Sequence, residues 1–373
     1  MKFKLFRAKS VLLFMLLFQF TFACKDTPVY IPLAGKPIYT DDYVKNNLGK
    51  VQFLIPEVLE LTQVAQSLTD YKDKTRTGKY WTDVQNYFGN YRNHPLIIKL
   101  NSQVLNYNDD YDLRAGAWAT EFDKNGNFIE GFYPYQGNKN IFGSLKADFL
   151  DFARKSNFRQ FYQMQQSYYN ELQNTQAELM PVRQMWTWLE ERFPARSQSY
   201  KIIFSPLFGG NHNTNWYGNS VFRESLMFVS YTGDCCSTVT LKVKEGLSTR
   251  VVFTEIDHNY VNPVTDEYKT QVNQVFQNRA MWTAGKDSDN YSTPELVFNE
   301  YMTWAVFSLY CLDTFDSSDF TTINQITENQ MVNSRGFVKF RDFNRYLLGL
   351  YQKDRTMKSK EIFTKMLDWS KTQ

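Results

Sequence analysis

Histidine, cysteine and net charge are all scarce in this chain. Its 373 residues include 3 histidines and 4 cysteines. There is no CxxC pair, so neither a disulfide framework nor a cysteine-rich metal module is available. The 42 basic residues nearly match the 39 acidic ones, and Lys2, Lys4, Arg7 and Lys9 lie at the extreme N-terminus. Without those four the balance is 38 against 39, which excludes an electrostatic case for nucleic-acid binding. No internal repeat and no low-complexity run occurs. What is abundant is aromatic: 17% of residues, with Tyr 24 and Phe 31. Such rings mostly fill cores, and a minority can line a cleft. The length suits one large domain or two moderate ones with a substantial core.

The four N-terminal cations precede an almost unbroken apolar stretch from Val11 to Phe22, closed by Ala23-Cys24. It is too short and too early for a spanning helix and reads as a secretory signal. A small residue directly before cysteine resembles the bacterial lipobox, although Thr21 and Phe22 depart from its leucine-led form. This implies cleavage after Ala23 and lipid on Cys24. The expected organisation is a signal peptide over 1–23, a tether over 24–50, an N-terminal helical region over 51–195 and a second region over 196–373. The expected location is the cell envelope, as a lipid-anchored protein of the outer membrane or facing the periplasm. With Cys24 lipidated, Cys235, Cys236 and Cys311 permit at most one bridge. Adjacent cysteines strain the ring, so Cys311 with either is the easier pairing, and three buried free thiols are the alternative.

Periodicity predicts a mostly helical α+β chain with a small sheet. Helices are expected from Pro56, over Trp81–Tyr91 and Pro95–Tyr107, as one long or two shorter helices over Leu145–Leu179, and over Val182–Phe193 after the Met180-Pro181 break. Tyr200–Pro206 and Phe222–Tyr231 read as strands, with a Gly-rich loop carrying His212 after the first. A short helix capped by Ser248-Thr249 should stop near Asn262-Pro263, and another should start at Thr293-Pro294.

The first of these last two helices carries Thr254-Glu255-Ile256-Asp257-His258, and the second carries Asn299-Glu300. This is the zinc-peptidase pattern His-Glu-x-x-His with threonine in the first histidine's place. Together with Val261-Asn262-Pro263, the two segments resemble the paired helices of gluzincin-type metallopeptidases. They resemble more closely a domain-of-unknown-function family of secreted bacterial proteins whose helix often reads His-Glu-Phe-x-His before Val-Asn-Pro. Tyr87-Phe88 and Tyr91–Pro95 resemble an N-terminal helical part of that family, and coverage runs over roughly residues 50 to 335. The resemblance implies a zincin-like architecture, in which a small sheet's edge strand overhangs a helix pair and substrate lies along that edge.

In that frame His258 and Glu300 are candidate zinc ligands, supplying two of the three protein donors a catalytic zinc takes, and Glu255 is the candidate general base. Thr254 cannot replace an imidazole. His212 is the candidate for the vacant ligand position. Asp257 points about 100° around the helix from its neighbour, as a partner to a ligand rather than a co-ligand. Tyr260, Tyr291 and Tyr301 are candidate oxyanion donors. A di-iron site would need histidine at Thr303. The alternative is that Glu255, His258 and Glu300 form a polar network in a helical core. Two functions follow: a membrane-anchored metallopeptidase acting on a peptide or protein, or an inactive relative whose cleft binds a peptide, a protein or a glycan.

Overall fold

The structure is a computed structural model that describes residues 39–70, 78–103, 107–210, 212–233 and 236–373. The signal segment and the lipidation site at Cys24 lie outside the described residues. The chain is α+β and mostly helical, with a small mixed sheet, as expected. Among the described residues no helix is long and apolar enough to cross a membrane. The stretch read as a tether is partly folded, since Asp41–Asn47 is a helix capped by the Thr40 side chain.

Six strands form: β1 (Val51–Leu54), β2 (Thr120–Phe122), β3 (Phe128–Glu130), β4 (Ser199–Ser205), β5 (Asn213–Gly218) and β6 (Arg223–Ser230). β2 and β3 make a separate hairpin, and the main sheet has the order β1-β4-β6-β5. β1, β4 and β6 run parallel, and β5 returns antiparallel along β6 as the edge strand. Every residue of β4 and all but the last of β6 are buried, and their Ile202–Phe204 and Leu226–Val229 segments give the apolar runs that read as strands. β5 was not legible as a strand. Its Asn-Thr-Asn-Trp-Tyr-Gly sequence is polar because the outer side of an edge strand is not covered, and only its last two residues are buried. β1 was missed for a different reason, its length of four residues.

The helices follow the sequence in outline; the Pro95 helix ends at Ser102 rather than Tyr107, the helix Tyr107–Trp118 was not expected, and three other differences stand out. Leu145–Leu179 is neither one helix nor two: Lys146–Lys155, Phe158–Met164 and Gln166–Leu179 are separate, interrupted at Asn157, which takes a left-handed φ of 52°, and at Gln165. The motif helix begins earlier than expected. Its cap is Thr240, whose side chain accepts from Val243 N, and it runs Leu241–Ile256. Gly246 is tolerated inside it because a Cβ there would meet Ile323 Cδ1 at 2.3 Å, so the residue's smallness sets the approach of the Ser317–Asn329 helix. The third difference is at the proline: a new helix, His258–Glu267, contains Pro263. Burial of Tyr260, Val261 and Val264 holds this helix past the lost hydrogen bond, so tertiary packing overrides the local signal.

One continuous hydrophobic cluster reaches from Ile55 to Leu367. At its centre lies the helix Pro294–Thr314, capped by Thr293 and buried at every position from Val297 to Cys311. Cys311 is a free buried thiol and Cys236 is disulfide-bonded, so the expected pairing of Cys311 does not form. The Leu241–Ile256 helix packs against this central helix on one side and against β6 and β5 on the other.

Candidate functional site

Packing of those three elements leaves a cleft of about 660 Å³ between the β5 edge and the two helices. Glu255, His258, Glu300 and His212 all line it, together with Thr254. The four residues singled out from sequence therefore converge, although Glu255 ends one helix and His258 begins the next. The two segments meet at Asp257, whose carbonyl accepts from Tyr260 N at 2.8 Å and Val261 N at 2.7 Å.

Within the cleft the charged groups are partnered in a chain. His258 Nε2 lies 3.2 Å from Glu300 Oε1, and Arg335 Nη1 lies 2.8 Å from Glu300 Oε2. The other imidazole nitrogen, Nδ1, lies 3.2 Å from Asn262 Oδ1. Arg335 in turn donates to Tyr291 Oη and stacks over the Trp304 ring with its guanidinium carbon 4.7 Å from the centroid. The electrostatics follow. Burial would raise Glu300, but the Arg335 guanidinium and then His258 outweigh it and hold the carboxyl down at about 2. Burial would lower His258, but its hydrogen bond to Glu300 and the charges of Glu300 and Glu255 outweigh it and carry the imidazole up to about 10. His258 and Glu300 are thus an imidazolium and a carboxylate, each other's partner.

Glu255 has no such anchor: it makes no hydrogen bond or ion pair among the described residues. Burial, with the Glu300 charge adding to it and His258 opposing, pushes its carboxyl up to about 7. His212 donates to or accepts from Ser230 Oγ at 2.9 Å, and burial together with the positive charges of Arg114, Arg335 and Arg250 lowers its imidazole to about 4. It is neutral at physiological pH. Thr254 spends its hydroxyl on the carbonyl of Arg250, one turn back, at 3.0 Å.

Two predicted supporting residues face elsewhere. The His258 ring is held by Asn262 rather than Asp257; Asp257 is fully buried outside the cleft, and neither of its carboxylate oxygens has a hydrogen-bond partner. Burial raises that carboxyl well above its usual range. Tyr260 points to the opposite side, against Tyr200 Oη and Glu190 Oε1. Of the other tyrosines, Tyr291 lines the cleft, whereas Tyr301 donates to Trp282 O in the core at 2.6 Å.

Sequence reasoning missed Arg250, Trp304 and Arg335, which also line the cleft. Arg250 lies one turn before Thr254 and Trp304 one turn after Glu300, so extending the same helix faces by one turn finds both. Arg335 arrives from a distant segment and leaves no local signal.

The residues present do not fit a resident zinc ion. His258 and Glu300 are two donors where a catalytic zinc takes three, and a guanidinium occupies the second oxygen of the carboxylate. Among the described residues no group of three His, Cys, Asp or Glu is arranged to hold a metal. Comparison with protein families, with curated proteins and with solved structures gives no match.

Proposed function

We propose that this protein is a zincin-like binding protein of the bacterial cell envelope, anchored through lipid on Cys24, whose cleft holds an extended segment of a partner without hydrolysing it. The observation that carries this reading is the closed chain His258–Glu300–Arg335, with Thr254 in the third ligand's place. In a working site of this kind the imidazole is neutral and the carboxylate is free to face a cation. Here both are committed to one another and to an arginine. The antiparallel edge strand β5 bordering the cleft supports the zincin-like part of the reading, because an open edge offers main-chain donors and acceptors to an extended ligand.

Hydrolysis by metal-activated water is the second reading, and one observation favours it: the neutral His212 imidazole borders the same cleft as Glu255. Isothermal titration with zinc, on the native protein and on Thr254→His, separates the two. The expected result is no tight binding by the native protein and a gain on substitution, since the new imidazole stands one turn before His258. Tight zinc binding by the native protein, accompanied by peptide cleavage, overturns the proposal. For the anchor, Cys24→Ser is expected to move the protein from the membrane to the soluble fraction with loss of the acyl mass. An unmodified native N-terminus at another position refutes it.

A further inference from the structure

Arg250 has no acidic partner. It lines the cleft, its guanidinium carbon sits 5.3 Å from the Trp304 ring centroid, and its hydrogen bond from Nη1 goes to a neutral hydroxyl, Thr327 Oγ1, at 3.3 Å. Among the described residues no carboxylate comes within ion-pair distance of it. A guanidinium carries five N–H donors, so most of this one's capacity is left to the space of the cleft. Withdrawing a cation from water without a counter-charge is costly, and proteins keep such groups where a ligand supplies the missing charge.

The surroundings sharpen the demand. Arg335 stacks on the same indole at 4.7 Å, so two guanidinium groups flank Trp304. Glu300, shared with His258, and Asp287, 3.9 Å from Arg335 Nε, both answer Arg335, which leaves Arg250 as the guanidinium of this wall without an acid among the described residues. Across the cleft, Asn213 at the start of β5 has a buried side-chain oxygen, Oδ1, with no hydrogen-bond partner. Among the described residues β5 pairs with β6 alone, so no second strand covers its outer edge, and Gln136 Nε2 reaches Trp216 O at 3.5 Å toward the strand's far end. The walls thus present a strand edge on one side and the Arg250 guanidinium, without a counter-charge, on the other. A chain with amide N–H groups and a carboxylate satisfies both.

We infer that the cleft binds an extended peptide along the β5 edge and takes a peptide carboxylate onto Arg250, with Arg335 adding its charge across Trp304. This rests on the binding reading above and names its ligand. The carboxylate belongs either to an acidic side chain or to a C-terminus, both of which offer the planar pair of oxygens that an arginine fork matches.

The test is isothermal titration of the full-length protein with three peptides. The first is a blocked alanine heptapeptide with a central glutamate, the second its glutamine counterpart, and the third the glutamine peptide with a free C-terminal carboxylate. One or both carboxylate-bearing peptides are expected to bind roughly ten- to a hundredfold more tightly than the neutral one, and the tighter of the two identifies the source. In Arg250→Gln that preference is expected to vanish while the melting temperature stays level or rises, because a partly buried charge without an acidic partner has been removed. Equal affinity for neutral and charged peptides, or a preference that survives Arg250→Gln, overturns the carboxylate assignment and leaves the binding reading standing. If none of the three binds, the peptide assignment is overturned. Titration with an oligogalacturonate then distinguishes that failure from failure of the binding reading, which survives only if the acidic glycan binds.

Discussion

Two buried carboxylates, Glu224 under the sheet and Glu300 in the cleft, are handled in opposite ways. Glu224 is fully buried on β6, where its Oε2 accepts from Tyr43 at 2.8 Å and Tyr133 at 2.7 Å, and Lys201 Nζ lies 3.3 Å from its Oε1. Lys201 is itself shared with Gln52 and Asn47. Charges there balance within the protein, although Glu224 Oε1 has the Lys201 ion pair and no hydrogen bond, and the rings of Tyr43 and Phe132 stack 4.3 Å apart beside the group. Glu300 also has two partners, but its neighbourhood does not close: Arg250 lacks an acid and Glu255 lacks any partner. Buried polar groups that satisfy one another are structural devices, whereas unsatisfied ones facing a cavity are the candidates for meeting a ligand.

The largest expected effect breaks the closed network. Glu224→Leu leaves the Lys201 ammonium, only 5% exposed, without its counter-charge and strips two tyrosines of their acceptor. A loss of about 3–5 kcal/mol is expected in urea unfolding. A second substitution, Lys201→Met, should recover part of that loss when combined with the first, because an apolar pair replaces an ion pair of similar volume. A single variant as stable as the native protein would show that the network does not contribute as drawn, and the contrast with the cleft would collapse.

How much of this was readable beforehand depended on whether the signal was local. The helix pair and its motif residues were legible because His258 and Glu255 sit within one turn and Glu300 follows a Thr-Pro helix start. Their convergence in one cleft was an expectation drawn from the resemblance and not from spacing or periodicity. The boundaries were less legible: Pro263 looked like a stop, but the burial of Val261 and Val264 decided otherwise. The edge strand that forms the cleft's far wall was hidden by its own polarity, which is the property that suits an uncovered strand. The partnering of Glu300 was not legible at all. It depends on Arg335, which the chain delivers 35 residues later from a turn after another helix, and no pattern in either segment announces the other.

A smaller effect sharpens the comparison from the cleft's side. Glu255 carries a folded-state carboxyl raised from 4.5 to about 7, chiefly by burial. Below the unfolded value both states hold the proton and nothing is lost. As pH rises from 4.5 toward 7 the unfolded chain ionises while the folded one resists, so stability falls across that window and stays reduced above it. Glu255→Gln removes the ionisation and keeps the shape. The variant is therefore expected to match the native protein near pH 4.5 and to exceed it at pH 8 by about 1–3 kcal/mol, a figure set below the full shift because the residue borders an open cleft. His258 also contributes a pH-dependent part, present below 6.5 and lost as pH climbs through about 10. Because the Glu255 charge is one cause of that rise, this part is smaller in the variant, which trims the difference at pH 8 toward the lower end of the range. Urea unfolding of the pair at the two pH values measures it. A variant less stable than the native protein at pH 8 would mean that the ionised carboxylate is held by a favourable partner, which would place Glu255 with Glu224 among the closed structural groups and remove it from the set that awaits a ligand.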